Sequence, residues 1–292
     1  MSDVVLLDGG MGQELVHRAG DRPTPLWSTQ VMRDRPGLVG EVHGDFTRAG
    51  ATVATTNTYA IHRDRLVSAG IEDQFEGLHA MALREVAGCG AARIAGAIGP
   101  LGASYRPDLH PEDGAKAQAL FAEVAALLAP SCDLLICETV VSIAQARDVL
   151  AAARTTGKPV WMAFSVDDAD GTRLRSGEAL AEAMAAAPGD AVLVNCSAPE
   201  AIPAALDILA GAGLPYGAYA NGFEVITEKF LGPEPTVDAL KMRRDFTPEA
   251  YAAHVLGWVD HGATIVGGCC EVSPAHIEEI ARRLRDAGHT IV

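Results

Sequence analysis

Apolar residues fall along this chain in short runs, each closed by a small or polar residue and followed by a longer stretch with helical spacing. The runs predict strands over residues 4–8, 51–56, 93–98, 133–138, 159–165, 191–196, 216–220 and 263–267. The intervening periodicity predicts helices over 36–49, 74–87, 114–128, 142–155, 178–187, 199–212, 247–261 and 273–287. Eight strands alternating with helices, without a break in composition, predict a single α/β domain over residues 1–292, a (β/α)8 TIM barrel, in preference to an open doubly wound sheet.

Two connections are long for such a repeat. Residues 99–113 follow the third strand and carry Pro100, Pro107 and Pro111; residues 221–248 follow the seventh and carry Phe223, Lys241, Arg243 and Arg244. In a barrel both rise from the C-terminal face, where active sites sit. The stretch from Lys229 to Arg244 fits a lid, a subunit contact or neither, so a homo-oligomer stays open.

Composition narrows the class. The chain is 49% hydrophobic, enough for a sizeable core, and carries 38 acidic against 23 basic residues, a formal charge of −15. That charge repels phosphate backbones and anionic lipid, so nucleic acid and membrane partners are not expected. Asp3 stands where a secretory signal needs positive charge, the first apolar run stops at Asp8, and no run approaches the roughly 18 residues of a spanning helix. The expectation is a cytoplasmic protein whose six cysteines remain thiols or bind metal.

Chemistry concentrates where strands end. Strand one runs into Asp8, Gly9 and Gly10; strand two into Thr55, Thr56, Asn57 and Tyr59; strand four into Cys137 and Glu138. Strand six ends in Asn195 and Cys196, strand seven in Asn221, and strand eight in Gly267, Gly268, Cys269 and Cys270. Cys89 and Cys132 read as small core residues, and Cys137 is ambiguous. Neighbours on a regular strand face opposite ways, so Cys269 and Cys270 can share a metal only if the chain bends, as Gly267 and Gly268 permit. Cys196 lies two strands away at the same end. Three thiolates with an open fourth position describe a catalytic zinc site. They outweigh the dication's charge, which suits holding an incoming thiol as an electron-rich thiolate better than acidifying water.

Asp8 and Glu138 can act as an acid/base pair or clamp an ammonium group, with Asp8 alternatively a turn residue. Gly9 and Gly10 open a helix containing Glu14 and offer amides to a carboxylate. Together these features fit an amino-acid thiol.

The blocks LLDGGMGQEL (6–15), EVHGDFTRAGATVATTNTY (41–59), ICET (136–139), VNCS (194–197) and IVGGCCEVSPAHI (265–277) resemble the homocysteine S-methyltransferase family, over residues 6 to about 283. The resemblance implies zinc on Cys196, Cys269 and Cys270, with the homocysteine sulfur as fourth ligand. It implies Asp8, Glu138 and Tyr59 as the reacting set: Asp8 and Glu138 on the substrate ammonium, Tyr59 near the metal or the methyl donor. The amides around Gly9, Gly10 and Thr55 would take the carboxylate, and Asn221 would contact substrate, although Tyr219 and Ala220 precede it where the family commonly has proline. The expected reaction is transfer of a methyl group from a small donor, S-methylmethionine or a similar sulfonium, to homocysteine, giving methionine. Betaine as donor, and selenocysteine or another thiol as acceptor, are alternatives within the class. Trp27, Tyr59, Tyr105 and Phe223 are candidate cation–π contacts for a cationic donor. A zinc hydrolase, or a non-catalytic zinc- or thiol-binding protein, is the reading from another class. Against the hydrolase, none of the nine histidines forms a His-x-His pair.

Overall fold

The computed structural model describes residues 2–20, 26–224, 226, 231–232 and 240–292. Lys229 and much of the second long connection lie outside the described residues. The strands are β1 (Asp3–Leu6), β2 (Val53–Thr55), β3 (Arg93–Ile98), β4 (Leu134–Val140), β5 (Val160–Phe164), β6 (Ala191–Asn195), β7 (Tyr216–Tyr219), β8 (Ile265–Val266) and β9 (Thr290–Ile291). They form one sheet in the order β2-β3-β4-β5-β6-β7-β8-β1-β9, with parallel pairings throughout.

The sheet closes on itself. Leu7, just past β1, bridges Val53 of β2 in parallel, the Asp8 amide donates to the Val53 carbonyl at 3.1 Å, and the Thr52 amide donates to the Leu6 carbonyl at 2.7 Å. The expected eight strands thus make a TIM barrel. β9, which the sequence reading omits, pairs with the first half of β1 at Asp3 and Val4.

Alternation along each strand divides the core in two. Leu7, Val53, Ala95, Ala97, Leu134, Ile136, Trp161, Ala163, Leu193 and Ile265 fill the barrel, while Leu135, Cys137, Val192, Val194 and Ala218 face the surrounding helices. Each such Leu, Ile or Val contributes roughly 1.5–3 kcal/mol when fully buried. Cys137 is therefore a packing residue, which resolves its ambiguity. One glycine is demanded by the barrel wall: a Cβ at Gly217 would stand 1.7 Å from the Ile265 carbonyl oxygen, where β7 meets β8.

The eight expected helices form, several with side-chain caps that fix their starts. Asp113 accepts the Ala115 amide at 3.0 Å ahead of the helix Gly114–Leu128, Ser142 accepts the Gln145 amide at 3.2 Å, and Thr247 accepts the Ala250 amide at 3.2 Å. Met11–Ala19 is the helix expected after Gly10; Trp27–Asp34 and Arg63–Ser68 are additions. Among the described residues no helix is long and apolar enough to cross a membrane.

Candidate active site

The C-terminal ends of the strands surround a cavity of about 720 Å³. Asp8, Gly9, Gly10, Thr55, Tyr59, Glu138, Cys196, Cys269 and Cys270 all line it, so nine of the expected site residues converge on one space.

Cys196 follows β6 and by strand alternation would face the outer core, but its backbone takes φ = 52° and turns the thiol toward the barrel mouth. A non-glycine residue in this region is strained by about 1–2 kcal/mol. The turn is held by its carbonyl, which accepts from Ser165 Oγ at 3.3 Å and from Arg175 Nη2 at 3.2 Å. On the other side of the seam, the Cys269 amide donates to the Ala220 carbonyl at 2.9 Å and the Cys270 carbonyl accepts from the Gly222 amide at 3.0 Å, which bends the chain after β8. The three sulfurs then lie within 4.8 Å of one another, with Cys269 Sγ at 2.8 Å and Cys270 Sγ at 3.9 Å from Cys196 Sγ. Hydrogen bonds from Cys269 and Cys270, aided by Tyr105 and Arg175, hold the Cys196 thiol well below its ordinary range despite burial.

The two carboxylates stand beside this cluster. Asp8 is 2% exposed and accepts from Thr55 twice, from the amide at 2.7 Å and from the hydroxyl at 2.7 Å. Burial dominates those bonds and pushes its carboxyl up to about 7. Glu138, at the end of the inward-facing row of β4, accepts from the Tyr219 hydroxyl at 3.0 Å. Burial pushes it up to about 8. Thr139 then adopts φ = 58°, fixed by Asn195, whose Oδ1 accepts the Thr139 amide at 2.9 Å. Two carboxyls poised near neutrality by burial are suited to a cationic guest, which restores their charged forms.

Several expected roles change. The Gly10 amide donates to the Val272 carbonyl at 2.8 Å and the Thr55 amide is used on Asp8, so two of the amides assigned to a substrate carboxylate are already engaged. Asn221 is 2% exposed and does not line the cavity; its Oδ1 accepts the Phe223 amide at 3.2 Å, which shapes the turn behind the wall. The tyrosine hydroxyl on a cysteine sulfur is that of Tyr105, 2.9 Å from Cys196 Sγ, whereas the Tyr59 hydroxyl pairs with Ser104 Oγ at 2.7 Å. Tyr105 is buried and carries the Arg175 guanidinium 4.6 Å over its ring.

An aromatic wall completes the cavity. Trp27 meets Tyr59 edge-on with centroids 6.3 Å apart. Its indole NH donates to Gln13 Oε1 at 2.9 Å, and Gln13 Nε2 donates to Glu271 Oε1 at 2.6 Å, next to the cysteine pair. Gln13, on a helix face, and Tyr219 escape the sequence reading as partners of the site, while Tyr105, expected as a cation–π contact, instead reaches the Cys196 sulfur. Tyr219 had a legible signal, an aromatic hydroxyl two residues before the strand-end Asn221.

The model of the family described as homocysteine S-methyltransferase matches residues 5–284. The homocysteine S-methyltransferase of Escherichia coli (strain K12) is 31% identical over 308 residues, covering 96% of this chain and 95% of that protein. The selenocysteine methyltransferase of Astragalus bisulcatus is 27% identical, covering 96% and 92%. The crystal structure of the homocysteine methyltransferase MmuM from Escherichia coli in its metallated form superposes with a TM-score of 0.79 at 27% identity, covering 97% of this chain and 96% of that one.

Proposed function

This chain belongs to the homocysteine S-methyltransferase family, and from that premise we propose that it methylates homocysteine with a small cationic donor, S-methylmethionine or a similar sulfonium, giving methionine. The observation that carries the reading is the meeting of Cys196, Cys269 and Cys270 with buried Asp8 and Glu138 in one cavity.

The donor set fits zinc. Cys269 Sγ and Cys270 Sγ, at 2.8 Å and 3.9 Å from Cys196 Sγ, bracket the roughly 3.8 Å between thiolates each about 2.3 Å from one tetrahedral ion, and three protein ligands leave a corner for substrate. Cys196, Cys269 and Cys270 would hold the ion. When bound, zinc supplies the Lewis acidity that keeps the acceptor thiol deprotonated at neutral pH.

The chain's own residues do the rest. Asp8, oriented by Thr55, and Glu138, oriented by Tyr219, take the acceptor's ammonium group and fix its sulfur at the cysteine end. Trp27 and Tyr59 line the cavity, and the negative face of an aromatic ring is what a donor cation would lie against. Alignment of sulfur, methyl carbon and leaving sulfur is the main contribution to rate, because the displacement needs no acid or base at the carbon. The acceptor sulfur's electron pair forms the new S–CH3 bond as the donor's C–S bond breaks. The donor leaves as a neutral thioether, and one proton is released per turnover.

A screen of methyl donors with homocysteine on zinc-loaded protein, reading methionine by mass, tests the proposal. Zinc retention and full methylation by Cys269→Ala would sink it. The Astragalus relative motivates a second acceptor arm with selenocysteine, decided by competition against homocysteine.

A further inference from the structure

Arg65 is the only basic side chain among the described residues that line the cavity. Its surroundings differ from those of other arginines nearby. Arg63, two residues earlier, pairs with Glu123 at 2.7 Å, and Arg175 behind Tyr105 pairs with Asp168 at 2.8 Å. Arg65 instead donates from Nη2 to the Pro100 carbonyl at 2.7 Å and lays its guanidinium over the Tyr59 ring, 5.6 Å from the centroid. It has no carboxylate partner among the described residues, and its Nε is buried without a hydrogen-bond acceptor. Its chain neighbour Asp64 also lines the cavity, with Oδ1 buried and unbonded, yet no ion pair joins the two among the described residues, and a half-buried guanidinium without a paired carboxylate is costly unless a guest supplies one.

Position says which guest does so. Asp8 and Glu138 stand with the cysteines at one end of the cavity, where the acceptor's sulfur and ammonium are held. Arg65 stands on the aromatic wall, over Tyr59, which in turn meets Trp27 edge-on. Resting on the reading of this site as a methyltransferase, we propose that Arg65 binds the carboxylate of the methyl donor, and so selects a sulfonium that carries an anionic tail. The planar fork of a guanidinium matches a carboxylate with paired hydrogen bonds. The donor's cation would then lie against the rings of Tyr59 and Trp27, with its negative end on Arg65 and its methyl toward the cysteine end. Neutral-tailed sulfoniums would offer Arg65 no anion.

The test compares S-methylmethionine with S-methylmethionine amide, which has the same size but no anionic tail, on zinc-loaded protein. Wild type should favour the acid by roughly 10–100-fold in kcat/KM, the range of a charge-assisted hydrogen bond. In Arg65→Met, which keeps an unbranched side chain without the charge, the acid-over-amide ratio should collapse toward one, through donor KM rather than kcat. Homocysteine KM and zinc content should stay within about twofold, and Arg65→Lys should recover part of the ratio, since a lysine keeps the charge without the fork. An unchanged ratio in Arg65→Met, or an effect confined to homocysteine KM, overturns the assignment. If neither sulfonium is consumed, the methyl-transfer reading fails by itself. Calorimetric binding of S-methylmethionine to wild type and Arg65→Met then decides this inference: equal affinities overturn it, and binding lost in the variant supports it.

Discussion

The Tyr105 hydroxyl donates a 2.9 Å hydrogen bond to the Cys196 sulfur, and the Arg175 guanidinium lies 4.6 Å over the same ring. A positively charged group behind the ring and a hydroxyl on the sulfur both draw off negative charge, which three thiolates around one dication have in excess. Tyr105→Phe should therefore weaken zinc affinity by about 10–100-fold, the usual effect of losing a partner to a metal ligand. Competition with a chromogenic chelator measures it; an unchanged affinity would show that the bond is incidental.

The cysteines should separate cleanly by function. Cys196→Ser and Cys269→Ser are expected to lose stoichiometric zinc and at least about a hundredfold in methyl transfer. Cys137→Ser, on a side chain buried in the outer core, should keep zinc and activity and lower thermal stability instead, by about 1–3 kcal/mol for an apolar site given a hydroxyl. Metal analysis and calorimetric melting distinguish the two outcomes.

Asp8 and Glu138 make stability and binding pull in opposite directions with pH. Burial raises their folded-state pKa values to about 7 and about 8, above those of an unfolded chain. The sign follows: stability is fully present below the unfolded values near pH 4 and is lost as pH rises through 7 to 8. Metal-free, substrate-free protein should melt several degrees lower at pH 8.5 than at pH 6. Glu138→Gln, which can still accept the Tyr219 hydroxyl, should flatten the upper part of that fall and raise the melting temperature at pH 8.5.

Binding should run the other way, because an ammonium group needs ionised carboxylates. The affinity of methionine, which carries the same headgroup as the acceptor without its thiol, should rise across pH 6 to 8.5. In Glu138→Gln it should be weaker throughout, and isothermal titration would show a rise governed by Asp8 alone. A pH-independent affinity would remove the carboxylates from headgroup recognition.

Gly10 offers a steric test of the cysteine turn. Its backbone is unexceptional, with φ of −73°, but an added Cβ would meet the Cys269 carbonyl oxygen at 2.6 Å and Cys270 Cα at 3.2 Å. Gly10→Ala should displace the turn and reduce zinc affinity by at least about tenfold, while far-ultraviolet circular dichroism stays native. Retention of zinc with native affinity would show that the turn yields at little cost.

The barrel was legible because its strands are apolar runs between helices with distinct periodicity; β3 (Arg93–Ile98) and the helix Gly114–Leu128 match the expected limits residue for residue. β9 was not, since two residues carry no period and its pairing depends on the first half of β1, far off in the chain. Strand-end polarity pointed to Asp8, Glu138 and the cysteines because strand ends share one face. Loop residues lack that rule. Tyr105 has φ = 62°, and nothing local in its sequence says that its hydroxyl turns onto Cys196. The resemblance implies Asn221 as a substrate contact, but it is not among the residues lining the cavity, and its Oδ1 is taken up by the Phe223 amide. The Gly10 and Thr55 amides illustrate the same limit: whether an amide is available depends on partners far off in the chain, Val272 in one case and Asp8 in the other.

The seam where Asp8 hands its amide to Val53 and its carbonyl to Gly268 joins the earliest strand to the second and to the eighth. During synthesis β1 must wait, with one edge unmatched, until some 260 residues later its other neighbour emerges, and Cys269 and Cys270 arrive on that same neighbour's heels. Ring closure and assembly of the metal-binding trio are therefore one event in the life of a nascent chain, and a truncated product ending before β8 would be both an open sheet and a protein unable to hold zinc.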